Sequence, residues 1–179
     1  MLEQQKIIFT GPVGAGKTTA ISAICDGENM QTEALATDET ADIKENTTVA
    51  MDYGTLKLDD GNTVHLYGTP GQDRFDFMWD ILTKSGIGLV LLIDNTRDDP
   101  LEDMANYINS FKDFISEHEI VIGVNRYAEV NRPGLYSYHT KLEELGMRPP
   151  IFEVDSRDRN DIKILLMALL AMLDPALKR

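Results

Sequence analysis

The chain is short of several things, and each shortage narrows what it can be. Cysteine occurs once, at position 25, so no internal disulfide can form, and a reducing, cytoplasmic setting is expected. Basic residues are few: 17 Lys and Arg face 30 Asp and Glu, and the net charge of −13 repels nucleic acid and anionic lipid. No apolar run approaches the ~20 residues that span a bilayer. The first residues, with Glu3 and Lys6, lack the apolar stretch of a signal peptide. Leu2 is unsuited to N-myristoylation, and Ala176 to Arg179 is no prenylation box, so membrane work is expected to come through a partner. The three histidines, His65, His118 and His139, have no metal-site spacing. Asp59-Asp60 and Asp98-Asp99 read as turn residues. There is no internal repeat, low-complexity tract or linker. With 179 residues, 42% of them apolar, the expectation is one globular domain over residues 1–179.

What is present begins at Gly11. Residues 11–18 read Gly-Pro-Val-Gly-Ala-Gly-Lys-Thr, a complete G-x-x-x-x-G-K-S/T phosphate loop. Gly11, Gly14 and Gly16 let successive backbone N–H groups close on phosphate oxygens, where side chains would block the approach. Lys17 places an ammonium at the terminal phosphates, and the Thr18 hydroxyl is a Mg²⁺ ligand. Ala15 and Thr19 complete the expected nucleotide contacts. A bare glycine-rich turn would not need the flanking context: Lys6 to Thr10 reads as a buried strand, and Thr18 to Cys25 as a helix whose positive end faces the phosphates. An acidic chain that binds a polyanion must make this loop a local exception, helped by Mg²⁺ and the helix dipole.

Strands and helices then alternate. Asp26 to Asn46 is polar and aperiodic, and reads as a long, mobile loop with room for a short helix. Thr48 to Leu58 and Thr63 to Tyr67 are strand-like and joined by Asp60-Gly61-Asn62, which makes a hairpin. A glycine-rich loop from Gly68 to Gly71 precedes a helix from Arg74 to Thr83. Gly88 to Ile93 is the continuous apolar run of a central parallel strand. Pro100 opens a helix to about Ile115, Ile120 to Val124 is a strand, and Tyr136 to Leu145 is a helix stopped by Gly146. Ile151 to Val154 is the last strand. Asn160 to Leu173 is the last helix, whose Leu165, Leu166, Met167, Leu169, Leu170 and Met172 suit core packing better than a partner-binding stripe. The pattern predicts an α/β three-layer sandwich with a mostly parallel six-stranded sheet and one antiparallel hairpin strand.

The segment Leu66 to Phe75 reads L-Y-G-T-P-G-Q-D-R-F. With the phosphate loop it resembles the D-T-A-G-Q-E-(R/K)-(F/Y) switch of Ras-like small GTPases, and its T-P-G-Q form is similar to that of the bacterial MglA group. The resemblance runs from about Gln5 to Ala171. It implies a P-loop NTPase fold of the small G-protein kind. It also implies that Gly71 senses the γ-phosphate, that Gln72 orients the attacking water, and that Thr48 is a second Mg²⁺ ligand. It further implies GTP and GDP as ligands, slow hydrolysis without an activator, a roadblock/LC7-type regulator, an effector protein, and a role in bacterial polarity, motility or signalling. Trp79, Phe75 and Phe77 either pack under the switch or form a patch that a partner reads.

Two positions depart from the pattern. Gly68 stands where the family has an aspartate that holds the Mg²⁺ shell through water, which should weaken metal affinity. The guanine-reading N-K-x-D motif falls on Asn125-Arg126-Tyr127-Ala128. Asn125 matches, and Arg126 can lay its stem and guanidinium over the base. Ala128 cannot accept the two guanine hydrogen bonds, and Glu129 is offset by one residue. Asp155-Ser156-Arg157 resembles the S-A-K loop, so Ser156 and Arg157 are expected at the base. A nucleotide-binding scaffold with relaxed base choice is the rival reading. A small P-loop kinase would need an arginine-rich lid, and residues 26–46 contain no arginine.

Overall fold

The computed structural model describes residues 5–27, 30–34, 49–70, 83–130 and 132–174. Its single sheet holds β1 (Gln5–Thr10), β2 (Met30–Ala34), β3 (Val49–Lys57), β4 (Thr63–Gly68), β5 (Gly86–Asp94), β6 (Glu119–Asn125) and β7 (Ile151–Val154). The spatial order is β2-β3-β4-β1-β5-β6-β7. The strands from β4 across to β7 run parallel, and β3 runs antiparallel to both of its neighbours. The described helices are α1 (Lys17–Ile24), α2 (Pro100–Ser110), α3 (Lys112–Glu117), α4 (Leu135–Glu144) and α5 (Arg159–Leu173). The mostly parallel α/β sandwich read from the sequence is therefore present, with its six expected strands.

Side-chain alternation along the central strands builds the three layers. Ile8, Leu89, Leu91 and Ile93 point to one face, where Met104, Tyr107, Tyr138 and Leu142 from α2 and α4 cover them. Ile7, Phe9, Val90 and Leu92 point to the other, against Ile21 and Ile24 of α1 and Leu165 and Leu169 of α5. Both faces are buried, which is why β1 and β5 read as continuous apolar runs rather than alternating ones. Each such side chain contributes roughly 1.5–3 kcal/mol by leaving water. Gly88 and Gly123 bring α5 onto the sheet: a Cβ at either would lie 2.9 Å from a methyl of Leu169 or Leu165. Leu165, Leu166 and Leu169 are buried as expected for core, whereas Met167 is 58% exposed.

Two expectations need correction. The segment read as a loop after α1 contains β2, the seventh strand. Its sequence Met-Gln-Thr-Glu-Ala has no strand pattern, and its ladder to β3, from Met30 opposite Tyr53 to Ala34 opposite Val49, comes from backbone groups that any residue carries. The single helix expected from Pro100 to Ile115 is two. Phe111, 3% exposed with φ −101° and ψ 14°, ends α2 and starts α3, so burying its ring takes precedence over continuing the helix. The helix expected at 74–83 falls almost wholly outside the described residues.

All the parallel strands end at one edge of the sheet. The strand order turns back between β4 and β1, and such a switch point is where open α/β sheets place ligands.

Candidate functional site

The phosphate loop leaves β1 at this edge. Gly11 has φ +146°, and a Cβ on it would stand 2.1 Å from the Leu92 carbonyl oxygen, so only glycine lets the loop pass over β5. Gly16 has φ +102°, and a Cβ there would sit 2.6 Å from both Asn125 Nδ2 and Ser156 Oγ. Ala15 is fully buried and donates its N–H to the Pro12 carbonyl at 3.1 Å. Gly14 and Thr19 are exposed on the rim.

The start of α1 differs from those of α2 and α5, while α4, which begins after Gly134, likewise has neither a side-chain cap nor a first-turn acid. Asp99 caps α2 by accepting from the Glu102 N–H, and Asp158 caps α5 by accepting from the Asn160 N–H. Both of those helices also carry acids in their first turn. α1 begins at Gly16 with no side-chain cap and no acid in its first turn. Its positive end therefore faces the loop without compensation, the arrangement that suits an anion.

Lys17 is 8% exposed, and its ammonium donates to the carbonyls of Gly11 at 2.6 Å and Pro12 at 2.8 Å. Burial lowers its pKa from 10.5 to about 8, and the nearby Asp52 carboxylate opposes that shift. The Thr18 hydroxyl donates to Asp52 Oδ2 at 2.5 Å. Asp52 stands on β3, directly opposite Gly68 at the end of β4. Hydroxyl and carboxylate oxygens are the hard donors that Mg²⁺ takes, so this pair fits that ion. Beside them Thr69 ties the end of β4 to β1, its N–H to the Phe9 carbonyl and its hydroxyl to Thr10 Oγ1, both at 2.8 Å.

Asn125, at the end of β6, connects this loop to the far side of the site. Its Nδ2 donates to the Ala15 carbonyl and to Ser156 Oγ, each at 3.0 Å, while its Oδ1 accepts the N–H groups of Arg126 and Ser156. Asn125 and Ser156 are both buried, at 4% exposure, and every polar atom of the amide is used, so its orientation is fixed. A cleft of about 730 Å³ runs from Gly14, Gly16 to Thr19 along Asn125 to Glu129 and on to Glu153 to Arg157. Ala128 lines it without a carboxylate, next to the exposed Glu129. Arg126 Nη1 meets Asp94 Oδ2 at 2.5 Å. Arg157 pairs with Asp155 at 2.7 Å, which holds that carboxyl down at about 2.

The structure thus gathers Gly11, Gly14, Ala15, Gly16, Lys17, Thr18, Thr19, Asn125, Arg126, Ser156 and Arg157 around one edge and cleft. Thr48, Gly71 and Gln72 lie outside the described residues, as do Phe75, Phe77 and Trp79. Sequence reasoning missed Asp52 and Asp94. The signal for Asp52 was available: the hairpin pairs Lys57 with Thr63, and five residues further along each strand Asp52 meets Gly68. Among the described residues no group of His, Cys, Asp and Glu forms a separate metal site, and no helix is long and apolar enough to cross a membrane. His65 instead pairs with the Tyr53 hydroxyl at 2.7 Å.

Residues 27–131, more than half of the chain, match the model of a family described as "Conserved hypothetical ATP binding protein". An uncharacterized protein of Methanocaldococcus jannaschii, MJ1339, is 30% identical over 101 residues, which cover 56% of this chain and 58% of that protein. Ras-related protein Rab-18-B of Danio rerio is 24% identical over 68% of this chain and 55% of its own length. Ras-related protein RIC1 of Oryza sativa is 21% identical over 92% of this chain and 77% of its own. The chain thus spans little more than half the length of the first two, and the weak likeness to Ras-related proteins, with the family match, supports a small GTPase-like superfamily.

Proposed function

The chain belongs to the family described as conserved hypothetical ATP binding proteins, and from that premise we propose that it is a nucleotide-dependent switch, binding GTP with Mg²⁺ and hydrolysing it slowly. The observation that carries the reading is Asn125, which with one amide joins the phosphate loop at Ala15 to the Ser156 loop across the cleft. Such a tie sets phosphate and base positions relative to each other, which a turn that binds nothing would not require.

In this reading Lys17 spends two of its three N–H donors on the loop carbonyls and directs the third to a terminal phosphate oxygen. Thr18 and Thr48 would hold Mg²⁺, which supplies charge neutralisation at the phosphates when bound. The N–H of Gly71 would sense the γ-phosphate, and Gln72 would orient the attacking water. Arg126 and Arg157, the arginines that line the cleft, are each tied to a carboxylate. Neither is free to meet the transition-state charge. With no other arginine of the cleft among the described residues, this reading has slow intrinsic turnover, an activating partner of the roadblock/LC7 type and an effector.

Ala128 favours a second reading, a catalytically weak scaffold with relaxed base choice, because position 128 itself brings no carboxylate to the cleft. The deciding experiment is denaturation of protein purified from cells, with chromatography of the released nucleotide, alongside melting curves of the parent and Lys17→Ala. GDP at ~1,000 times its Kd should stabilise the parent by about 4 kcal/mol and the variant by almost nothing. Equal shifts in both proteins would overturn the assignment.

A further inference from the structure

Gly68 leaves the metal side of the site without the carboxylate expected from β4, yet a carboxylate is there. A Cβ added to Gly68 would lie 3.1 Å from Asp52 Cβ and 3.3 Å from Asp52 Oδ2. The Asp52 side chain thus fills the space into which residue 68 would project, from the paired position on the neighbouring strand. It accepts the Thr18 hydroxyl at 2.5 Å, and it is close enough to Lys17 to act on its charge. A side chain at 68 would press on Asp52, which would have to give way by a few tenths of an ångström.

We propose that Asp52 is the carboxylate that holds the Mg²⁺ shell of the bound nucleotide, supplied by β3 in place of β4. The inference rests on the nucleotide-switch reading and adds to it the residue that replaces the missing acid. Charge argues for the role. Without a cation, a half-buried carboxylate beside bound phosphates would repel them, whereas with Mg²⁺ between them the same carboxylate attracts. Asp52 should therefore make nucleotide affinity strongly metal-dependent, a property a purely structural partner of Thr18 would not confer. The placement also ties metal holding to the hairpin register: a slip of one residue between β3 and β4 would turn Asp52 to the opposite face of the sheet.

The test is direct binding of GDP, with ADP in parallel, at pH 6.5 in either MgCl₂ or EDTA. In the parent, Mg²⁺ should tighten binding. In Asp52→Asn, an isosteric change, the ratio of Kd in EDTA to Kd in Mg²⁺ should fall at least tenfold, with Kd in EDTA unchanged within about threefold or tighter. The exchange variant Asp52→Gly/Gly68→Asp should regain Mg²⁺ dependence. An Asp52→Asn protein that melts cooperatively and keeps the parent's Mg²⁺ ratio overturns the proposal. A parent that binds neither nucleotide in either buffer overturns the switch reading first, and this inference with it.

Discussion

Asp94 and Arg126 stand at the ends of adjacent parallel strands, and the guanidinium of Arg126 reaches the carboxylate of Asp94 at 2.5 Å. Arg126 does so from a left-handed backbone, φ 56°, which turns its side chain back over the edge of the sheet. Asp94 is almost wholly buried and also accepts from the N–H and hydroxyl of Thr96. The residue read as a cover for the base is thus also a clamp on the end of β5.

Arg126→Ala should therefore cost stability as well as affinity. It leaves a buried carboxylate with only its Thr96 bonds, and because the arginine itself is 42% exposed the expected loss is about 1–2 kcal/mol. Urea unfolding of the nucleotide-free chain measures this, and no change in midpoint would show that water replaces the pair at no cost.

Asn125→Ala should be worse. It leaves the Ala15 carbonyl and the Ser156 N–H without their amide partner in a buried setting, at about 1–3 kcal/mol for each group left unsatisfied. Nucleotide affinity should fall together with the melting temperature, because the loop and the Ser156 segment lose their common anchor. A variant that melts like the parent and binds as well would remove Asn125 from its central place in the site.

Lys17 carries a pH signature in the chelated, nucleotide-free chain. Its folded pKa of about 8 lies below the ordinary 10.5, so between those values the unfolded chain holds a proton that the folded chain has released. Stability from this group consequently rises with pH across that window, by on the order of 3 kcal/mol in total. Lys17→Met should flatten the rise, and denaturant midpoints taken from pH 7.5 to 10.5 for both proteins give the difference. Parallel curves would mean that Lys17 titrates as an exposed lysine does.

Ala128→Asp should raise the ratio of GDP to ADP affinity at least tenfold, since it returns an acceptor for two guanine donors to the wall of the cleft. If the parent already prefers GDP as strongly, another group reads the base, with Glu129 the adjacent carboxylate on the same wall.

Gln72→Leu should slow hydrolysis of GTP while leaving its affinity within a few-fold, because a group that orients water matters mainly in the transition state. Single-turnover assays with and without a roadblock-type partner measure it. Hydrolysis unchanged by the substitution would remove Gln72 from the mechanism, and a parent with no hydrolysis in either assay would favour the scaffold.

The sequence alone determined the layered architecture and the position of the phosphate loop, because both rest on short-range patterns. Short apolar runs such as Gly88 to Ile93 suit strands covered on both faces, and glycines at 11, 14 and 16 with Lys17 have a local backbone reason to recur together. Asn125 and Ser156 were legible only through the resemblance to the N-K-x-D and S-A-K motifs. Tertiary structure alone decided what lay between distant segments. β2 exists because β3 offers its backbone edge, not because Met30 to Ala34 ask to be a strand. Arg126 turns to Asp94 because β5 and β6 end side by side. Asp52 supplies a carboxylate at Gly68 because pairing sets the two residues opposite each other and a residue without a Cβ yields the space. A side chain's neighbours across a sheet are set by register, and register is a property of two segments that neither carries by itself.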